Sequence, residues 1–294
     1  VIELAPGRAL HERFAADLPP AAADAFALIE HRFGVLPLLE AFFEPCEAVE
    51  AAGRPLGALG LFTPAPAMRW CAAPVPCELA DGALRLSGEV RIASPAAEGA
   101  LVPVSLAGAE LRLAWVAQDA PGVERRTAGP GAPCWLYFDG ASVDPGLVSR
   151  PVTVDALHPF LEELAGRWAP AAAACAREGV RALRRAARTT ARGGAAFNAS
   201  QVFALSITEV EIEADLAAAA ARTGGGLLAA AAAARTLESV AAASALMRDS
   251  AGLAIEGPFG EEGAGKSLTA FLGGALMLEN EVARALGLPR EAER

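Results

Sequence analysis

The chain has 294 residues, more than one ordinary hydrophobic core accommodates, so two or three packed modules are expected. Hydrophobic residues make up 53%, charged residues 20%, and the formal net charge is −10, a balance that argues against a general nucleic-acid or anionic-membrane binder. The 5 cysteines are scattered and the 3 histidines stand apart from them without zinc-type spacing, which reads as free thiols in a reducing cytoplasm; no window supplies the ~18 uninterrupted apolar residues of a membrane span.

Three compositional segments follow one another: 1–62 reads as helical, 79–148 as β punctuated by Pro and Gly, and 155–290 as an Ala-rich helical array. Pro19-Pro20 precedes a helix over 21–32, whose Phe26, Leu28 and Ile29 form an apolar stripe. A second helix is expected over 36–52, stopped by Gly53. The stretch 55–76 is rich in proline and connective. Beyond Glu78 the period drops to two: 83–87 is a strand ended by Gly88, and 101–106, 110–116 and 135–138 follow, the last closed by Asp139-Gly140. Short strands with turn residues between them predict a small antiparallel barrel.

From Pro151 a new boundary opens, with a long helix from about 157 to 191, broken at Gly193-Gly194. Within 201–222 the signals conflict. Thr208-Glu209-Val210-Glu211-Ile212-Glu213 alternates like a strand, yet Phe203, Ile207, Val210 and Ala214 share one helical stripe, and the Ala-rich flanks decide for helix. A third helix runs to about 251, and a glycine-rich stretch leads into a last one over 266–286. Four long helices with short connections predict an antiparallel bundle. Alanine buries little area per residue, and the 201–222 helix carries apolar residues on two faces, so the bundle is expected to pair with another subunit.

The run Gly260-Glu261-Glu262-Gly263-Ala264-Gly265-Lys266-Ser267 formally matches a phosphate-binding P-loop. Two glutamates inside the loop repel a polyphosphate, and the preceding residues make a poor buried strand, so a glycine-rich connection between helices is the better reading. Arg177, Arg181, Arg184, Arg185, Arg188 and Arg192 lie largely on one side of their helix, a pattern expected of a solvated face. At its end, Arg192 beside Gly193-Gly194 allows backbone and guanidinium to approach a phosphate closely.

The order helical, β, helical, together with Leu86-Ser87-Gly88-Glu89-Val90-Arg91-Ile92-Ala93-Ser94, resembles the acyl-CoA dehydrogenase family of flavoproteins. The resemblance covers roughly residues 30–290. It implies an α+β multidomain fold: a truncated N-terminal helical domain at 1–62, a small antiparallel β-barrel domain at 63–150 and a C-terminal four-helix bundle at 151–294. It implies an FAD cofactor and α,β-dehydrogenation of an acyl-CoA thioester. Ser94 falls on the hydroxyl residue that bonds the flavin ring, while Ile92 stands where the family has tryptophan. Arg192 and Gln201 match the residues that contact the phosphate-adenine half of FAD, and Ala120-Pro121-Gly122-Val123 resembles a family turn. Thr63-Pro64-Ala65 is a reduced form of the family's Thr-Glu-Pro segment. The base that takes the α-proton is expected at Glu262, with Glu261 as the other candidate. Some family members are heteromers, including ones that degrade steroid side chains. The resemblance therefore implies either a subunit of a heteromeric enzyme in lipid or steroid catabolism, or a non-catalytic partner shaping the site of a full-length homologue.

Overall fold

The computed structural model describes residues 22–65, 69–80, 82–94, 96–106, 110–127, 133–189, 191–192, 195–196, 201–224, 226–251, 255, 259 and 268–287. The N-terminal segment opens with α1 (Ala22–Glu30), which runs directly into a π-helical turn (His31–Val35) and then α2 (Leu36–Phe42). The single helix expected over 36–52 is instead two. Phe43 turns extended (φ −101°, ψ 149°) ahead of Pro45, whose ring and missing N–H cannot continue a helix, and α3 (Glu47–Ala52) starts afresh.

Seven strands form one sheet: β1 (Gly57–Leu59), β2 (Val75–Ala80), β3 (Ala83–Ile92), β4 (Gly99–Leu106), β5 (Glu110–Ala117), β6 (Val123–Thr127) and β7 (Cys134–Val143). The order is β1-β4-β2-β3-β7-β6, with β5 on the other side of β4. The expected antiparallel barrel is corrected in two respects. First, β1 and β2 lie end to end along one edge of β4 and both pair with it in parallel. Alternation in a sequence fixes which face is buried, not the direction of the neighbouring strand, so those pairings were invisible. Second, among the described residues no ladder joins β5 to β6, which leaves an open, mixed half-barrel.

Glycine did not end β3 as expected. The strand passes through Gly88 (φ 141°) to Ile92, and the register against β7 shifts between Leu86↔Ala141 and Ser87↔Asp139, leaving Gly140 (φ 64°) as the extra residue of a bulge. Gly122 (φ 83°) turns the chain into β6; a Cβ there would sit 2.9 Å from the Asp139 carbonyl oxygen, so only glycine fits.

Strand β4 is buried on both faces from Gly99 to Val104. Leu101 joins Leu113 and Trp115 against the helices, while Ala100, Val102 and Val104 pack with Leu86, Val90, Ile92 and Leu136 on the opposite face. The sheet is thus the layer between a helical core and a smaller core of its own.

Thr153 Oγ1 accepts from Ala156 N at 3.1 Å and caps α4 (Val154–Thr189), a helix that carries Pro159 and Pro170. A two-residue ladder, β8 (Ala191–Arg192) on β9 (Ala195–Ala196), leads to α5 (Gln201–Arg222) and α6 (Gly226–Ala251). The alternating run 208–213 is helical, as the flanking alanines indicated. At Gly179 of α4 a Cβ would meet Val240 of α6 at 2.5 Å, so glycine sets how closely these two helices approach. By length and composition residues 226–249 of α6 also satisfy the requirement for a membrane span, but half of that stretch is buried in the bundle.

The last expected helix is interrupted. A 3-10 turn (Phe271–Gly273) holds Leu272 at φ 54°, Gly273 and Gly274 are also left-handed at 89° and 86°, and α7 (Ala275–Ala285) begins only after them. Its first N–H is capped from another helix: Ala275 N donates to Glu238 Oε1 at 2.9 Å.

Candidate functional site at the sheet–helix junction

Of the residues singled out by motif, Thr63, Ile92 and Ser94 lie near the junction between the end of β3 and the loop after the first helices. Thr63 is the pivot of the loop. Its Oγ1 donates to Gly60 O at 3.2 Å and accepts from Arg91 N at 2.9 Å, while Arg91 Nη2 reaches Phe62 O at 3.4 Å. The reduced Thr-Pro segment is therefore tied to β3 three residues before Ser94. Burial of the Arg91 guanidinium pulls it below its ordinary value. Ser94 is 2% exposed, a buried hydroxyl just past the end of β3. Ile92 is enclosed in the sheet's own core and presents no face to a ring stacked outside it.

Trp70 closes the other side. Its indole Nε1 donates to Leu272 O at 3.2 Å, its backbone N donates to Glu281 Oε1 at 3.4 Å, and its ring packs 5.2 Å from His158 and 6.0 Å from Phe62. His158 of α4 bridges two carboxylates: Nε2 lies 2.9 Å from Glu281 Oε2 on α7, and Nδ1 lies 2.9 Å from Glu162 Oε1 one turn along α4. Arg284 Nε donates to Glu281 Oε2 at 3.0 Å and completes the shell of that buried acid. Cys71 sits beside it in a left-handed conformation (φ 58°), and burial plus the Glu281 charge push its thiol up to about 12, which makes it inert as a nucleophile. All five cysteines are free, and Cys46 alone is exposed.

A second buried acid lies behind this network. Glu30 ends α1, is 2% exposed, and among the described residues neither carboxyl oxygen makes a regular hydrogen bond. Burial pushes it up to about 8, opposed weakly by the Leu59 backbone, so the group is largely a neutral acid at pH 7. Phe26, one turn earlier on the same helix, packs edge-on against Trp168 at 5.4 Å and Phe271 at 5.2 Å, and the Trp168 indole N–H also has no hydrogen-bond partner among the described residues. Sequence reasoning missed Glu30. The signal was there in a lone acid one turn from Phe26 on the buried face of an apolar helix.

The remaining expected site residues are placed only in part. Arg192 occupies the β8–β9 ladder that follows α4, and Gln201 is the first residue of α5. Glu262, Glu261, Lys266 and Ser267 lie outside the described residues. The arginine stripe is not simply a solvated face. Arg177 pairs with Asp215 at 2.6 Å, and Arg184 with Glu211, so part of it ties α4 to α5. Single-helix periodicity could not reveal those partners 38 and 27 residues away.

No family model matches the sequence, and no curated protein matches it. Solved structures do. The acyl-CoA dehydrogenase of Geobacillus kaustophilus superposes with a TM-score of 0.62 at 15% identity, covering 89% of this chain and 79% of that one. The glutaryl-CoA dehydrogenase of Mycobacterium smegmatis, solved with FADH2, gives 0.63 at 16% identity over 95% of this chain and 78% of that one.

The chain has the acyl-CoA dehydrogenase fold. A further neighbour with this fold is the ChsE4-ChsE5 complex of Mycobacterium tuberculosis, at TM-score 0.58 and 18% identity over 92% of this chain and 80% of that one. Helical, β and helical segments occur in the order the sequence implied, the half-barrel falling in the chain between the first helices and α4 to α7.

Proposed function

We propose that this protein is an acyl-CoA dehydrogenase-family subunit that binds FAD and takes part in α,β-dehydrogenation of an acyl-CoA thioester as part of an oligomer. The observation that carries this reading is the fold match over 95% of the chain to a dehydrogenase solved with its reduced flavin. The donor set fits the cofactor in chemistry. Ser94 offers a buried hydroxyl at the end of β3, and Arg192, followed by two glycines, offers a cation for the pyrophosphate where α4 gives way to α5. Gln201, opening α5, would hold the adenine half. FAD, when bound, accepts the hydride from the substrate's β carbon. The chain's own task is to take the α-proton, and Glu262 is the residue proposed for it. Anaerobic mixing with a series of acyl-CoA thioesters tests the reading: a substrate bleaches the flavin absorbance in a single turnover, and failure of the whole series to do so counts against catalysis.

A second reading is favoured by one specific observation. Ile92 is enclosed in the β core, where the family places a tryptophan beside the flavin, so this chain lacks that packing surface. On that reading the chain is the non-catalytic partner of a full-length homologue, and a neighbouring gene for such a homologue distinguishes the two. The exposed Leu205, Ile212 and Leu216 on α5, spaced seven and four residues apart, form the apolar stripe through which either assembly pairs. Action in lipid or steroid catabolism, and a cytoplasmic location, belong to the same proposal.

A further inference from the structure

The seam between α4 and α5 changes character along its length. Along part of it two guanidiniums of α4 meet carboxylates of α5: Arg177 Nη2 lies 2.6 Å from Asp215 Oδ1, and Arg184 pairs with Glu211. Toward the end of α5 the acids stop. There α4 presents Ala173 and Ala174, α5 presents Ala218 and Ala221, and the small side chains leave a groove of about 550 Å³. That volume lies within the range of small-molecule sites.

Among the described residues the groove is lined by three arginines, Arg177, Arg181 and Arg222, and by no acidic residue. Arg222 has no ion-pair partner among the described residues. Arg181 pairs with Glu178 of its own helix at 3.2 Å, a carboxylate that also takes Arg185 at 3.1 Å. The adjoining hollow across the α5–α6 turn is lined, among the described residues, by Glu162 and Glu163 and by no basic residue. The arginines that line the first hollow reach their carboxylate partners, Asp215 and Glu178, outside its lining, while Arg222 adds a further cation. A basic residue in the last turn of α5 complements the helix dipole, which accounts for one arginine there. It does not account for three facing one hollow in a chain of net charge −10.

We propose that this groove is a binding site for a phosphate monoester, its phosphate held by Arg177, Arg181 and Arg222 and its organic body resting on the alanine floor. Guanidinium forks match phosphate oxygens in geometry and give charge-assisted hydrogen bonds, and three of them suit a dianion better than a single carboxylate. The site does not depend on the flavin reading, since it lies toward the opposite end of α5 from Gln201.

Calorimetric titration of the full-length protein with phenyl phosphate at low salt tests it. The expected result is one saturable site per chain, weakening as salt rises, with phenol showing no binding. Arg222→Ala weakens binding at least about tenfold, in line with loss of a charge-assisted pair. Ala221→Leu, which fills the groove and leaves every charge in place, abolishes it. Arg222 is exposed, so its variant is expected to fold, and an unchanged melting curve verifies that. Absence of saturable binding overturns the proposal, as does affinity unchanged in Arg222→Ala.

Discussion

His158 Nε2 and Glu281 Oε2 lie 2.9 Å apart across 123 residues of sequence, and this buried contact fastens the start of α4 to the last helix. Glu281 is nearly inaccessible, and its other contacts come from Trp70 N and Arg284 Nε. His158→Ala removes one of those contacts and leaves the buried carboxyl group short of a partner, which destabilises the fold by about 1–3 kcal/mol. Glu162→Ala, on the exposed side of the same imidazole, costs about 1 kcal/mol or less. Urea denaturation of both variants measures the difference; equal, small losses contradict the network described here.

Glu30 makes a prediction with a definite sign. Its folded value is raised to about 8 from an ordinary 4.5, so between those limits the folded protein holds more protons than the unfolded chain. The contribution to stability is therefore undiminished below pH 4.5 and lost progressively as pH climbs toward 8. Glu30→Gln keeps the shape and removes the titration, so it raises the melting temperature at pH 8 more than at pH 5. Melting curves of the two proteins that shift in parallel at both pH values would place Glu30 in contact with water or a partner.

The order of segments was legible because hydrophobic period and the Pro/Gly punctuation are local properties. Helix α5 was resolved correctly even where Thr208 to Glu213 alternates, because six turns of Ala-rich sequence outweigh a six-residue run. What was not legible depended on distant partners. The parallel pairing of β1 and β2 with β4, the passage of β3 through Gly88 by virtue of a bulge at Gly140, and the Glu238 cap on α7 all involve residues remote in sequence. The same holds at the site. Ser94 was marked by its run, while Trp70, His158 and Glu281 matter only because three separate segments meet.

On α5, Leu205, Ile212 and Leu216 are each more than half exposed although Ile207, Val210 and Ala214 already fill the bundle face. An oligomer through that second stripe is expected. Replacing Ile212 and Leu216 together by glutamate shifts the protein toward monomer in light scattering. A wild-type protein that is already monomeric at micromolar concentration contradicts the assembly.

If the chain is catalytic in its own right, Glu262→Gln lowers turnover about 10²-fold or more while flavin stays bound, as expected for loss of a general base. Loss of rate in Glu261→Gln instead moves the assignment by one residue. If neither slows the reaction, the base belongs to a partner. Arg192→Ala is expected to reduce the flavin retained through purification, and unchanged stoichiometry removes Arg192 from the cofactor site.

The central claim is that a chain with this fold holds a flavin, alone or with a partner subunit. The visible absorption spectrum of the purified protein, by itself and co-expressed with any longer homologue encoded nearby, tests it most directly. Bands near roughly 370 and 450 nm, the signature of oxidised flavin itself, are the predicted result. A colourless protein in both preparations, which also fails to take up added FAD, would contradict it.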